Sequence, residues 1–573
     1  MKKSIMAISV VILLLSINVF AVDVSETKSI KALRMEKFPN LETIEIQLEV
    51  KKIFLSEIDN TPEPVPTAED KKNGYILFFR NYLKTVYPFT KPTKEEIAKK
   101  EIKIFATLGE FEPITFSVYP LVKLTNCKIL VSDFVNEKGD KITKDAFQIN
   151  DVINCPIGSE MIVVRAYILY PAKEVPVIEE GVCKQIWINV KVPEDAKEGV
   201  YKGTVQFAPS GRPVVNIPVE LRVLPFKLMQ PPDVTWAPCW GHGGRDFDRL
   251  EQRLTLLKEH GMTGEAVDGV LSPEGNDFTK ANKYMEIAKK VGLTGKFVII
   301  DTHIQGTSKY DTTYGPFGLM GDQLFCQSTY DKLVDFMTRI RDNAEKNKWL
   351  PYVFYLTTEL GYTGASGEES FNKTMEKAVE WYKAARKVER VKLLATFNRE
   401  SEFIMHWNLP EIDEIGMNGE MFSEWEKAAK IKPSWICFVG MNDRCGEGFY
   451  MWKFNIKGNR PWLGGETINT GNREEILMKD YNKRWCATTR FEKIREGVDD
   501  YKYCYTLSEY IKQAKAKGKD TSSAEVTLKN IIDKIPHDHK NKPDSDWVVN
   551  KYDFTKLDEY RWQIAQEILK ILK

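Results

Sequence analysis

Apolar and polar residues alternate at Ile44, Ile46, Leu48 and Val50, the period of a half-buried strand. Pro62, Pro64 and Pro66 then impose a loop over 61–67. Alternation returns at Ile186, Ile188, Val190 and Val192, at Val205 and Phe207, and from Val215 through Ile217, Val219 and Leu221 to Val223. Pro193, Gly199, Gly203 and Gly211 punctuate these runs as hairpin turns would. Residues 100–229 therefore predict an antiparallel β-sandwich, preceded by a β/loop extension over 22–99.

Pro225 and Pro231-Pro232 mark a boundary, and the period changes beyond them. Residues 234–240 read as a strand. A helix follows with Phe247, Leu250, Leu254 and Leu257 on one face and Gly261 as its stop. Thr279 opens a second helix carrying Ala281, Tyr284, Ala288 and Val291. A strand over 296–301 comes next, then a helix capped by Ser328 with Leu333, Phe336, Met337, Ile340 and Ala344 inward. The strand 352–359, a helix over 368–388 and strands at 392–398, 414–420 and 435–441 complete the series. Strands alternating with helices over 230–489 predict a (β/α)8 TIM-like barrel. An open doubly wound sheet is the alternative, but no G-x-G-x-x-G follows the first strand. Residues 490–573 read as a helical segment packing on the barrel, and no internal repeat is present.

Composition narrows the class. Lys2 and Lys3 precede an apolar run over 5–20, with Val19-Phe20-Ala21 as a cleavage site. This predicts a signal peptide over 1–21 and export to the periplasm or exterior. The run is short and broken by Ser9, Ser16 and Asn18, which argues against the alternative of a membrane anchor. No other run is long enough to span a bilayer. Lys and Arg number 82 against 81 Asp and Glu; without Lys2 and Lys3 the balance is 80 against 81, or −1. A near-neutral chain has no electrostatic footprint for nucleic acid or an anionic membrane. The nine Cys include no C-x-x-C pair, so neither a zinc site nor a redox motif is indicated. No metal or cofactor is expected. Thirteen Trp and 23 Tyr suit a sugar-handling protein, although large barrels also bury many aromatics.

Candidate chemistry sits at strand ends, where barrels project their functional groups. Residues 352–361 read Tyr-Val-Phe-Tyr-Leu-Thr-Thr-Glu-Leu-Gly, an apolar strand ending on Glu359. A carboxyl among apolar and aromatic neighbours can have its pKa raised enough to serve as a general acid. Glu359 is either that acid or a solvated rim residue. Glu420, after Gly416-Met417-Asn418-Gly419, and Glu466, after Trp462-Leu463-Gly464-Gly465, are candidates for a nucleophile or base, or ordinary loop carboxylates. Asp301 and His303 suit a sugar hydroxyl pair; as a metal fragment they supply only two ligands. Trp240, His242 and Arg245 lie in Cys-Trp-Gly-His-Gly-Gly-Arg, whose glycines let the backbone approach a ligand. Trp240, and less strongly Trp407, Trp452 and Trp462, either stack on a pyranose or belong to the core. Asn398 bonds substrate or caps the helix that begins near Glu400. Arg495, Glu496, Asp499 and Asp500, at helical spacing, read as a salt-bridged clasp. There is no G-x-S-x-G, P-loop or H-E-x-x-H.

Three segments carry a family resemblance. They are Ala-Thr-Leu-Gly-Glu-Phe-Glu-Pro-Ile-Thr-Phe over 106–116, Val-Pro-Glu-Asp-Ala over 192–196 with Gly-Val-Tyr-Lys-Gly over 199–203, and Ile-Arg-Glu-Gly-Val-Asp-Asp-Tyr over 494–501. Together they resemble the superfamily around glycoside hydrolase family 123, over residues 75–510. The resemblance implies a secreted β-sandwich followed by a barrel whose fourth strand ends in an Asp-Glu pair. There the Glu is the general acid, and the Asp orients the 2-acetamido group that attacks the anomeric carbon. Glu359 takes the Glu position, but Thr358 stands where the Asp should be. A hydroxyl cannot offset the charge of an oxazolinium-like intermediate. The expectation is a glycosidase acting on an oligo- or polysaccharide; the alternative is a carbohydrate-binding protein that has lost catalysis.

Overall fold

In a computed structural model, the described residues are 53–54 and 61–573, except 158–161, 241–246, 248, 268, 274, 308–311, 362–367, 419–421, 437–442, 461, 465–475, 481, 483 and 537–551. The leader at 1–21 and the alternating run at 44–50 lie outside them. The chain divides into two compact units: one runs to Lys227 and takes in 467–482 and 486–489, and the other comprises 228–466, 483–485 and 490–573.

In the first unit, β-branched and aromatic residues at every second position build two mainly antiparallel sheets. One sheet orders Ile53–Phe54, Ile162–Pro171, Phe147–Ile157, Lys184–Lys191, Phe111–Pro120 and Tyr75–Phe78 side by side. The other orders Glu174–Ile178, Leu124–Val131, Gly199–Ala208, Val215–Val223 and Ile102–Ala106. The alternation places Ile186, Ile188 and Val190 of one sheet in a single core with Val205, Phe207, Ile217 and Leu221 of the other. Tyr75–Phe78, from the segment read as an extension, pairs with 117–120 and so belongs to the first sheet. Gly203 is demanded by packing, since a Cβ there would overlap the Phe134 ring.

The second unit is built on a curled parallel sheet. Its order is Thr235–Trp236, Gly458–Asn459, Ser434–Ile436, Glu414–Met417, Leu393–Phe397, Tyr352–Thr358, Phe297–Ile299, Ala266–Val267, Cys239–Trp240 and Trp462–Gly464. The two ends of this order are pieces of the same segments, 235–240 and 458–464. Helices Leu250–Glu259, Thr279–Lys290, Gln327–Lys346 and Glu368–Arg386 separate successive strands. The stripe Leu333, Phe336, Met337, Ile340 and Ala344 is buried as its spacing requires. Alternation divides each strand: Val298, Ile300, Val353, Tyr355, Leu394 and Trp435 form one cluster with Ala237, Cys239 and Ala266.

Several local expectations change. The strand expected over 234–240 is interrupted at Ala237-Pro238, because Pro238 has no N–H for the ladder. The helix expected to start at Ser328 begins at Gln327 after Cys326, so Ser328 lies within its first turn. The strand Ala266–Val267 and the hairpin formed by Ile304–Thr307 and Thr312–Tyr314 were not anticipated.

The terminal helix Thr489–Ala516 carries the clasp, and its charges are buried. Asp500 pairs with Arg444 at 2.7 Å and with Arg561 of the helix Leu557–Leu572 at 2.6 Å; Glu496 also holds Arg561, at 2.7 Å. Gly448 and Gly497 let the backbones meet, since a Cβ on either would overlap a carbonyl of the facing segment. Removing one partner of such a network leaves uncompensated buried charge, which costs about 3–5 kcal/mol. Asp500→Ala should therefore lower unfolding stability in urea by about that amount. A loss below about 1 kcal/mol would show that the pairs hold nothing in place.

Candidate functional site

The strand Tyr352–Thr358 is central in the curled sheet, with Phe297–Ile299 on one side and Leu393–Phe397 on the other. Its register against Leu393–Phe397 shifts between Tyr355 and Thr357. Tyr355 faces inward, where the Arg460 guanidinium lies 4.3 Å from its ring centre and donates to its hydroxyl at 2.8 Å. Thr357, two residues on, faces outward and pairs with the Tyr382 hydroxyl at 2.9 Å, on the helix Glu368–Arg386. The irregularity thus resets the alternation just before the strand ends, a common device beside functional sites. Thr358 then accepts a hydrogen bond from Asn418 Nδ2 at 3.0 Å.

Glu359 leaves the strand with φ +55°, in the left-handed region unfavourable to a side chain with a Cβ. Its Oε2 accepts from Gln305 Nε2, on the hairpin strand Ile304–Thr307 laid parallel along 357–358. Tyr314 is paired with Gln305 across that hairpin. Burial first, and then the negative charge of Glu359, push the Tyr314 phenol above its ordinary value.

Asp301 and His303 follow the strand Phe297–Ile299. Asp301 Oδ2 accepts from the Gly269 N–H at 2.8 Å and from the Ser272 hydroxyl, so this carboxylate ties down the loop after Ala266–Val267. His303 Nδ1 bonds the Ile300 carbonyl, and its ring tilts against Tyr355 with centroids 5.4 Å apart. Asn398, at the end of Leu393–Phe397, accepts from the Gly361 N–H at 3.1 Å through Oδ1, and its own N–H donates to Glu402 Oε2 at 3.1 Å. Glu402 is fully buried in the helix Glu400–His406. Burial pushes its carboxyl up to about 8, against the opposing pull of the backbone N–H groups of Asn398, Gly361 and Arg399. Burial likewise drives the His406 imidazole down to about 4.

Of the residues singled out by sequence, Thr358 ends its strand, and Glu359, Asn398, Asp301 and His303 follow the C-terminal ends of the same and neighbouring strands. His242, Arg245, Glu420 and Glu466 lie outside the described residues, and Trp240 and Trp462 are placed only as strand residues. Trp452 is elsewhere: on the helix Met451–Lys453, its ring stands edge-on to Tyr501 at 5.3 Å, and Tyr501 in turn meets Trp236. It serves helix packing because the terminal helix supplies an aromatic partner. Trp407 is buried over Phe403, with its Nε1 donating to Glu424 at 2.9 Å. Gln305, Asn418, Tyr314 and Glu402 were missed; Asn at the ends of two adjacent strands, Asn398 and Asn418, was the one available signal. Among the described residues, no three His, Cys, Asp or Glu side chains are placed to hold a metal ion.

Residues 84–208 match the family model for the glycoside hydrolase 123 N-terminal domain. A family 123 glycoside hydrolase from Clostridium perfringens, whose structural analysis concerned glycolipid glycan hydrolysis, superposes with a TM-score of 0.59 at 15% identity, covering 82% of this chain and 93% of that one. The chain is thus similar to family 123 in its N-terminal domain and in its fold. A GH5 xyloglucanase from Bacteroides ovatus (10% identity, 70% and 98% covered, TM-score 0.29) and a family 39 glycoside hydrolase from Bacteroides cellulosilyticus (10%, 70% and 83%, TM-score 0.33) are too remote to carry an argument. No curated protein matches the chain by sequence. At 15% identity the Clostridium likeness speaks to the fold, and no helix among the described residues is long and apolar enough to cross a membrane.

The buried Glu402 makes stability depend on pH. Its folded value is raised, so its contribution is full below about 4.5 and is lost as pH rises through about 8. Glu402→Gln keeps an uncharged group of the same shape. The parent should lose more melting temperature between pH 5 and pH 8 than this variant does. An identical decline in both would assign the effect elsewhere.

Proposed function

We propose that this protein is an exported glycoside hydrolase whose curled sheet is the closed (β/α)8 barrel of the family 123 architecture, preceded by a β-sandwich, with Glu359 as general acid and base. The observation that carries the reading is the placement of Glu359. It is a carboxylate at the end of a central parallel strand, gripped by Gln305 and close to Tyr314, in a chain with a family 123-like fold. Glu359 would protonate the glycosidic oxygen as the C–O bond breaks. It would then take a proton from the water that completes hydrolysis.

The anomeric carbon needs an electron pair from a second group. In the family pattern this is the substrate's own 2-acetamido oxygen, steadied by an Asp; here Thr358 is neutral. With its oxygen accepting from Asn418, its O–H remains to donate to a substrate oxygen. Glu420 and Glu466 are the carboxylates we assign to the alternative route, a protein nucleophile or base. Oligosaccharide head groups of glycolipids, named for the Clostridium relative, are the first substrate class to try. Thr358 also supports a second reading, a barrel that binds glycans without cleaving them.

Glu359→Gln should lower kcat by about 10²- to 10⁴-fold, the range for a lost general acid, with glycan affinity within about twofold. An unchanged rate would remove Glu359 from the mechanism. In the second reading the parent binds glycan but does not hydrolyse it, and Thr358→Asp restores release from 2-acetamido sugars. Slow release by the parent itself would refute that reading.

A further inference from the structure

A non-glycine residue at φ +55° stays there only when its neighbours over-determine the turn, because the conformation costs on the order of 1 kcal/mol or more. On one side, Gln305 holds the Glu359 carboxylate. On the other, Leu360 is fully buried and the Gly361 N–H is bonded to Asn398 Oδ1 at 3.1 Å. Position 361 is shaped for this bond: a Cβ there would lie 2.7 Å from both Asn398 Oδ1 and Arg399 Cγ. Asn398 is itself held from behind, since its N–H donates to Glu402 Oε2 at 3.1 Å. The Gly361 N–H also lies near enough to Glu402 to favour its charged form, against the larger effect of burial.

We propose that Asn398 is a positioning residue for Glu359, acting through its bond to Gly361, with the buried Glu402 as the anchor that holds Asn398 in place. Its amide oxygen is committed to Gly361 and therefore orients the acid from within the protein, where sequence alone suggested a substrate contact or a helix cap. The proposal rests on the reading of Glu359 as the general acid. A displacement of the turn by about 1 Å would misdirect the proton, and displacements of that size cost on the order of 100-fold in rate.

The test is steady-state hydrolysis of an aryl glycoside by the full chain and by Asn398→Ala, Gly361→Ala, the double variant, Glu402→Gln, Glu402→Ala and Glu359→Gln. Asn398→Ala should lower kcat about 10- to 100-fold with KM within twofold, and Gly361→Ala should do the same. The double variant should be no worse than the poorer single one, because both break one bond. Glu402→Gln keeps an acceptor and should retain kcat within threefold, whereas Glu402→Ala should not. A rise in KM alone for Asn398→Ala, or additive losses in the double variant, would overturn the proposal. Full activity in Asn398→Ala beside a dead Glu359→Gln would refute the positioning role and leave the acid assignment standing; an active Glu359→Gln would fail the acid assignment itself. Hydrogen–deuterium exchange across 355–361 reads the same bond without turnover. Faster exchange in Asn398→Ala is expected, and unchanged exchange would show that the bond holds nothing.

Discussion

The site depends on one backbone constraint: the central strand must end by turning Glu359 through a left-handed conformation. An ordinary continuation of the strand would carry 359 and 361 along the sheet. The register shift between Tyr355 and Thr357, the laid-on strand Ile304–Thr307 and the Asn398–Gly361 bond together make the turn. Each of these is a tertiary contact between segments far apart in sequence. The strand alone would not hold a glutamate in that conformation.

This division explains what was legible in the sequence. Long helices declare themselves by period, and the stripe from Leu333 to Ala344 needed nothing else. The strands of the first unit declare themselves by alternation. Ala266–Val267 has two residues and no period, and the paired strands Ile304–Thr307 and Thr312–Tyr314 are polar and short, so neither had a pattern to read. Glu359 was visible because it ends an apolar run. Gln305, Asn418 and Glu402 were not, since their roles arise only when strand ends are brought side by side; Glu402 looks in sequence like one more acidic residue in a first turn.

Composition proved a weaker guide than position. The abundance of Trp suggested sugar stacking, yet Trp187, Trp236, Trp381, Trp425 and Trp435 are fully buried core residues. A large ring buries much apolar surface, and a unit of this size has many interior places for one. The charges of the terminal helix teach the reverse lesson. Their helical spacing suggested a salt-bridged clasp, and Glu496 and Asp500 hold Arg444 and Arg561 in buried ion pairs.

The central claim is that Glu359 breaks a glycosidic bond. Its most direct test is release of the aryl group from a panel of glycosides with and without 2-acetamido groups, extended to glycolipid oligosaccharides, by the parent and Glu359→Gln side by side. The account predicts release by the parent from at least one class and its disappearance in the variant. Equal release by both proteins, or glycan binding with no release from any member, would contradict it.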